Sequence, residues 1–319
     1  MKYSTSLKFL AAALVAAAFL LTTGPALAAE KLTVLLDWFV NPDHAPLIIA
    51  KEKGFFKNHG LDAELVAPAD PNLPPKLVAA GKADLAVSYQ PQLHVQVAEG
   101  LPLVRIGTLV STPLNSLVVL RSGPIKSIKD LKGKKVGYSV GGFEDALLSA
   151  MLSRHGLTLK DITLINVNFS LSPAIISGKV DAVIGAFRNF ELNQMDIIKR
   201  PGRAFYPEEE GVPAYDELIV VANRAKLGDR RYGAFLRALE DSVQFLINHP
   251  DESWKLFIGA HKNLNDELNK RAWRDTLPRF ALRPAALDNG RYQRFAEFLK
   301  KQGLIKAIRP VAEYAVELP

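Results

Sequence analysis

Short apolar runs alternate with segments of helical periodicity along most of the chain after residue 31. Leu32–Leu36 and Leu85–Ser88 have the length and composition of short buried strands. His44–Lys53 carries apolar residues at helical spacing and stops at Gly54, a residue that commonly ends helices. Strands that alternate with helices of this size predict a mostly parallel sheet with helices on its faces.

The alternating pattern starts a second time after residue 115. Leu77–Val87 combines a helix end, a Gly-Lys turn, an aspartate and an apolar strand, and Ala174–Ile184 repeats that order. After residue 228 the periodicity is almost entirely helical. The sequence therefore predicts an α/β protein with two similar lobes, a cleft between them and a helical C-terminal portion.

The N-terminal segment, residues 1–28, has the features of a cleavable signal peptide. Lys2 and Lys8 precede the uncharged run Phe9–Leu21, which is too short for the roughly 20 residues of a membrane span. The small residues that a signal peptidase requires are supplied by Ala26-Leu27-Ala28. We therefore expect an exported mature chain, with a single membrane anchor as the alternative.

Composition places the chain among folded proteins and excludes several kinds of chemistry. The 319 residues are 48% hydrophobic and 23% charged, and the net charge is +7, or +5 without Lys2 and Lys8. Basic residues are scattered among acidic ones, so we expect a solvated surface and no nucleic-acid partner. The chain has no cysteine, which excludes disulfides, thiolate metal sites, a cysteine nucleophile and a lipid anchor on an N-terminal cysteine.

Candidate ligand-binding residues follow the predicted strands, where open α/β sheets and clefts between domains bind their ligands. In the segment Asp37–His44, Trp38 offers a stacking face, and Asn41 and His44 offer hydrogen bonds. Tyr89 follows the next strand with a ring and a hydroxyl group. The alternatives are core packing for Trp38, a satisfied histidine at a helix start for His44 and a rim aromatic without a ligand role for Tyr89, whereas the Asp37–His44 segment as a whole favours binding.

Further candidates lie near the predicted crossovers and at two helix starts. Asn115 and Tyr215 stand where the chain would pass between lobes, and Gly141 and Gly142 begin a predicted helix whose N–H groups face a ligand. Glu191 closes the segment Phe187–Glu191, which also follows a strand. A carboxylate there either complements the helix dipole or takes two parallel hydrogen bonds from an amino group and a neighbouring protonated ring nitrogen.

Motifs of catalysis are missing from the sequence. It contains no G-x-S-x-G and no H-E-x-x-H, and its six histidines lack metal-ligand spacing. We therefore predict a protein that is not an enzyme, without catalytic residues, metal or cofactor.

Several motifs carry a resemblance to a known family. They are Asp-Trp-Phe-Val-Asn-Pro-Asp-His at 37–44, Gly-Phe-Phe at 54–56, Ala-Gly-Lys-Ala-Asp at 80–84, Leu-Lys-Gly-Lys at 131–134 and Gly-Val-Pro-Ala-Tyr-Asp-Glu at 211–217. Together they resemble the thiamine-pyrimidine family of periplasmic solute-binding proteins. Gly-Phe-Phe and Leu-Lys-Gly-Lys are shared with binding proteins for nitrate and sulfonates and indicate only the fold, whereas the first motif is much more specific.

The resemblance implies a type II periplasmic binding fold with discontinuous lobes. Lobe 1 would comprise residues 29–115 and 216–319, including the C-terminal helices, and lobe 2 residues 116–215. The implied function is the capture of a thiamine-precursor pyrimidine, of the formylaminopyrimidine or hydroxymethylpyrimidine type, and its delivery to an ABC permease in the inner membrane. We expect a periplasmic monomer without a lipid anchor. The family's cleft positions fall at or beside Trp38, Asn41, His44, Tyr89, Asn115, Glu191 and Tyr215.

Two alternatives remain open. One is a binding protein for another flat or anionic solute, such as riboflavin or a sulfonate, for which Arg188 is the well-placed arginine. The other is the family's pyridoxal-phosphate-dependent pyrimidine synthase. That enzyme needs a lysine where this chain has Ser88, a histidine where it has Gln92, and cysteines near 211–216, where it has none. These departures favour the binding protein.

Overall fold

The computed structural model describes residues 29–318, so the predicted signal peptide lies outside the described residues. Ten strands are present within this range. They are β1 (Glu30–Leu35), β2 (Leu61–Val66), β3 (Leu85–Ser88), β4 (Leu103–Val110), β5 (Asn115–Leu120), β6 (Lys135–Tyr138), β7 (Thr163–Asn166), β8 (Ala182–Phe187), β9 (Gly202–Phe205) and β10 (Leu218–Asn223).

The strands form two five-stranded sheets with the same plan. The first sheet has the order β2-β1-β3-β10-β4, and the second has the order β7-β6-β8-β5-β9. In each sheet three neighbouring strands are parallel, and the fourth strand in the order is antiparallel to both of its neighbours. The predicted α/β class and the restart of the pattern after residue 115 are thereby confirmed.

Eleven α-helices of the described chain surround these sheets. They are α1 (Ala45–Glu52), α2 (Phe55–Asn58), α3 (Pro74–Ala79), α4 (Gln90–Ala98), α5 (Glu144–Arg154), α6 (Leu171–Ile176), α7 (Glu191–Ile197), α8 (Arg230–Asn248), α9 (Pro250–Ala260), α10 (Glu267–Thr276) and α11 (Asn289–Lys301). Within residues 29–318, none of the helices combines the length and the apolar character needed to cross a membrane.

Two predicted elements needed correction. The sequence pattern does not predict β9, because Gly202–Phe205 is a half-buried strand at the sheet edge that contains Arg203 instead of an apolar run. The helix predicted to open at Gly141 begins at Glu144. Gly142 has a φ of +76°, outside the helical region, so the two glycines form a turn before the helix.

The chain passes between the sheets twice, after β4 and after β9. The C-terminal helices pack on the first sheet's side, where Phe235 of α8 stacks on Phe56 of α2 with ring centroids 5.5 Å apart. Strand β5 of the second sheet begins at Asn115. The lobe limits 29–115, 116–215 and 216–319 stay a prediction.

Candidate functional site

A cavity lies where the two sheets face each other, beyond the carboxyl ends of β1, β3 and β8. It contains about 430 Å³ of space between protein atoms, part of it open to solvent. Segments of both sheets contribute to its walls. The lining residues are Asp37, Trp38, Asn41, Asp43 and Tyr89 from the first sheet's side, and Glu144, Leu171, Gly185, Phe187, Phe190 and Glu191 from the second.

The cavity is lined by carboxyl groups and by no basic side chain of the described residues. Four acidic side chains line it, and no lysine or arginine of residues 29–318 does so. The described residues include no group of three or more His, Asp or Glu side chains that could hold a metal ion. The cavity therefore suits a molecule that is rich in hydrogen-bond donors and carries no negative charge.

Glu191 begins helix α7 and is nearly buried in the cavity wall. Its Oε2 accepts a hydrogen bond from the Phe187 backbone N–H at 2.7 Å. Burial raises the pKa of its carboxyl to about 8, and the charge of Asp43 contributes in the same direction. At neutral pH the protonated carboxyl can donate one hydrogen bond and accept another.

Glu144 contributes a second carboxyl from the first turn of α5. Its Oε2 accepts the Ser139 backbone N–H at 2.7 Å, and burial raises its pKa well above the usual range. The carboxyl lies against Gly185, which has a φ of +97° and has no room for a Cβ, since that atom would lie 2.3 Å from Glu144 Oε1. Glycine at position 185 thus lets Glu144 pack directly on strand β8.

Asp37 organises the first sheet's wall of the cavity. Its Oδ2 accepts the Tyr89 hydroxyl at 2.8 Å, and its Oδ1 lies 2.9 Å from His44 Nε2. The Asn41 backbone N–H donates to His44 Nδ1 at 3.3 Å. Because Nδ1 accepts a hydrogen bond, Nε2 carries the ring proton and donates a hydrogen bond to Asp37 Oδ1. His44 therefore supports Asp37 from behind the cavity.

We expect Asp37→Asn to lower the free energy of unfolding by about 1–2 kcal/mol. Asparagine has a single acceptor oxygen, so the Tyr89 hydroxyl and the His44 Nε2–H can no longer both donate to residue 37, and the hydrogen bond that remains loses its charge assistance. Chemical denaturation measures this effect. Asp62→Asn, at an exposed position of β2, serves as the control and should change stability by less than about 0.5 kcal/mol. Equal stability of the two variants would contradict the role assigned to Asp37.

Aromatic rings form flat surfaces around the cavity. Tyr89 stacks on Phe143 of the other side with centroids 4.6 Å apart and an interplanar angle of 14°. Trp38 meets Phe169, which follows β7, edge to face at 4.6 Å. Phe187 stands edge-on to Tyr89 at 6.4 Å. The cleft is therefore bordered by ring pairs contributed by both sheets, an arrangement suited to a planar molecule.

Four of the nine candidates from the sequence line the cavity: Trp38, Asn41, Tyr89 and Glu191. Three others are buried and do not line it. His44 binds Asp37, as described, and Asn115 Oδ1 accepts the Gly185 N–H at 3.0 Å. Tyr215 packs against Phe295 of α11 at 5.5 Å. His44 and Asn115 therefore contact lining residues from behind, Tyr215 packs in the core, and ligand contact by any of the nine stays a prediction.

The two glycine candidates occupy a contact between the sheets. Gly141 donates its backbone N–H to Asn72 Oδ1 at 2.9 Å, and Asn72 Nδ2 donates to the Ser139 carbonyl oxygen at 3.1 Å. Neither Gly141 nor Gly142 lines the cavity. The Gly141 N–H, which was expected to be free for a ligand, thus donates to the side chain of Asn72 on the first sheet's side.

Sequence reasoning did not single out seven of the lining residues. Asp37 and Asp43 belong to the segment Asp37–His44, and Phe187 and Phe190 belong to the segment that carries Glu191. The sequence pattern therefore indicated their segments without indicating these individual side chains. Glu144 looked like an ordinary acidic residue at a helix start. Nothing in the local sequence distinguishes Leu171 or Gly185 from other residues of their type.

Similarity to known proteins places this site in context. A thiamine biosynthesis protein of Haemophilus influenzae is 58% identical over 300 residues, 94% of this chain and 96% of that protein. The formylaminopyrimidine-binding protein of Halalkalibacterium halodurans is 32% identical over 255 residues, 78% of this chain and 76% of that one. A 4-amino-5-hydroxymethyl-2-methylpyrimidine phosphate synthase of Uromyces fabae is 31% identical, covering 76% of this chain and 74% of the enzyme.

Solved structures identify the fold. The alkanesulfonate-binding protein of Xanthomonas axonopodis pv. citri superposes with a TM-score of 0.70 at 17% identity, over 90% of this chain and 99% of that one. The predicted periplasmic-binding-protein fold is therefore confirmed. The NMT1/THI5-like family model matches residues 41–253, and we conclude that the chain belongs to the NMT1/THI5-like family.

Proposed function

We propose that this protein is the periplasmic solute-binding component of an ABC importer and captures a thiamine-precursor pyrimidine. The observation that carries the proposal is the cavity itself, which combines flat aromatic surfaces with four acidic side chains and no basic one among residues 29–318. The family membership and the relative named for formylaminopyrimidine binding support the same substrate class.

An aminopyrimidine matches the chemistry of this cavity. It is planar, and it carries an amino group beside a ring nitrogen, so it offers N–H donors and an acceptor at one edge. The Glu191 carboxyl, with a pKa near 8, can accept from the amino group and donate to the ring nitrogen. Trp38 and Tyr89 supply the surfaces for stacking, and Asp43 is a second acceptor across the cavity.

A sulfonate or another anion fits poorly. Arg188 does not line the cavity, because its guanidinium Nη2 pairs with Glu208 Oε2 at 3.0 Å and its plane covers the Tyr206 ring at 4.1 Å. An anion would find no lysine or arginine of residues 29–318 in the cavity to act as its counterion, which is electrostatically unfavourable. The cavity's charge therefore argues against the anionic alternative.

The synthase alternative lacks its reactive amine. Ser88, at the position where that enzyme needs a lysine, is buried and donates its hydroxyl to Gln92 Oε1 at 2.9 Å. No lysine from the described part of the chain lines the cavity, so the aldehyde of pyridoxal phosphate would find no amine there. These residues favour binding and transport over pyrimidine synthesis.

Location and partner follow from the same proposal. Residues 1–28 have the sequence of an export signal, and the sequence contains no cysteine. A protein of this kind would act as a freely diffusing periplasmic monomer. An ABC permease in the inner membrane would recognise the form in which both sheets have closed on the ligand.

Binding measurements test the proposal directly. We expect formylaminopyrimidine or hydroxymethylpyrimidine to raise the melting temperature of the mature protein and to give a one-site calorimetric isotherm. Riboflavin, ethanesulfonate and pyridoxal phosphate are the comparison ligands. Stabilisation by one of these three and by neither pyrimidine would contradict the proposed substrate.

A further inference from the structure

Asn189, in the turn between β8 and α7, joins three separate segments of the chain. The residue is 1% exposed. Its Nδ2 donates to Asp43 Oδ1 at 2.6 Å and to Thr276 Oγ1 at 2.7 Å. Asp43 precedes α1 on the first sheet's side, and Thr276 ends α10. Asn189 is therefore a buried connection between the two sides of the cleft.

Asp43 links this junction to the cavity, because it is both a cavity-lining residue and the acceptor of the Asn189 amide. The Thr276 hydroxyl lies 2.9 Å from the same carboxylate oxygen, Oδ1. With Oδ1 held by two neighbours, Oδ2 is left to accept a hydrogen bond from a bound molecule. The orientation of Asp43 towards a ligand thus depends on Asn189 and Thr276.

The segment around Asn189 also carries Glu191 into the cavity. Two residues further on, Asn193 Nδ2 donates to Asp275 Oδ2 of α10 at 2.8 Å, in an exposed contact. Residues 189–193 therefore bind the first sheet's side through Asn189 and Asn193 and face the cavity through Glu191. A change in the buried contact will move Glu191 relative to Asp43.

We propose that Asn189 is a positioning residue for ligand binding, which acts together with Thr276. It fixes the Asp43 carboxyl on one side of the cavity and holds the Glu191 segment on the other, without touching the ligand. The proposal rests on the proposed function for the identity of the ligand, whereas the connection between the two sides exists without one.

Titration calorimetry with hydroxymethylpyrimidine and formylaminopyrimidine tests the effect on affinity. We expect Asn189→Ala to raise Kd about 20-fold and Thr276→Val about tenfold, since each removes a buried hydrogen bond of the junction. Thr276→Ser should stay within about threefold, because it keeps the hydroxyl. Kd values of Asn189→Ala and Thr276→Val equal to the parent's would overturn the proposal.

A distance measurement separates this proposal from the choice of ligand. Because the chain has no cysteine, Asn58→Cys and Lys179→Cys, both exposed and on opposite sheets' sides, would accept a pair of spin labels. We expect Asn189→Ala to widen the distance distribution of the ligand-free protein. If the parent protein binds no pyrimidine, the proposed function is wrong. The connection is tested separately: an unchanged distance distribution in ligand-free Asn189→Ala would refute it. If Asn189→Ala does not fold, the pair Thr276→Val and Thr276→Ser decides by the same measurements.

Discussion

Glu191→Ala is expected to raise Kd for an aminopyrimidine at least 30-fold, or about 2 kcal/mol of binding free energy. The Phe187 N–H holds Oε2 of Glu191 in place. Alanine removes both the oxygen that accepts from the ligand's amino group and the hydroxyl that donates to its ring nitrogen. Glu191→Gln keeps one acceptor and one donor at these positions and has no proton to lose, so its affinity should stay closer to that of the parent and should not fall at high pH.

The pH dependence of binding checks the same residue independently. Burial raises the pKa of Glu191 to about 8 in the free protein. At pH 7 the carboxyl therefore already carries the proton that it donates to the ring nitrogen of a neutral pyrimidine. Above pH 8 that proton must be taken from solution, and we expect Kd to rise about tenfold per pH unit. Below pH 7.5 the carboxyl should cause little change in Kd.

Calorimetric titrations between pH 6 and pH 9.5 measure both effects. Asp196→Asn, an exposed carboxylate of the same helix, is the matched control and should bind like the parent. A Glu191→Ala variant with the parent's affinity, or a Glu191→Gln variant with the parent's rise of Kd at high pH, would exclude Glu191 from ligand recognition.

Glu217→Gln should make folding markedly less sensitive to pH. Glu217 is fully buried between the two crossovers, and its Oε2 accepts the backbone N–H groups of Leu114 at 2.6 Å and Asn115 at 2.9 Å. Burial raises its pKa from 4.5 to about 7, although these two hydrogen bonds act in the opposite direction. The glutamine oxygen can accept the same two bonds without a charge.

The direction of the effect follows from proton binding. Between pH 4.5 and pH 7 the folded protein keeps a proton that the unfolded chain releases, so stability falls as the pH rises through this window. The difference in pKa corresponds to about 3 kcal/mol. We therefore expect the stability of Glu217→Gln, relative to the parent, to increase by about 3 kcal/mol from pH 4 to pH 8.5.

Urea denaturation across this pH range provides the measurement. The comparison isolates position 217, because the other buried carboxyls are present in both proteins. Glu99→Gln, an exposed substitution, should run parallel to the parent. Parallel curves for Glu217→Gln and the parent would mean that the carboxylate is accommodated at no cost in the folded protein.

Much of the fold could be predicted because local patterns agree with it. The predicted strand Leu85–Ser88 is apolar except at its last residue, and its limits match those of β3. Strand β9 escaped prediction because an edge strand next to solvent needs no apolar run. Its neighbour β5 lies far away in the sequence, so the local sequence around β9 does not indicate that the two strands pair.

The site was predictable in position and less so in orientation. Trp38, Tyr89 and Glu191 follow strands and reach the cavity, as the rule about strand ends predicts. His44 lies in the segment after β1, Asn115 begins β5 and Tyr215 precedes β10, and their side chains turn into the core to bond neighbouring polar groups or to pack on rings. Only the three-dimensional arrangement separates these two outcomes.

The position of β10 has a consequence for the order in which the protein acquires its structure. All five strands of the second sheet come from residues 115–205, one continuous stretch. The first sheet instead receives β10 between β3 and β4, long after both have been synthesised. During synthesis, the facing edges of β3 and β4 therefore stay unpaired until residues 218–223 emerge, and unpaired strand edges promote aggregation.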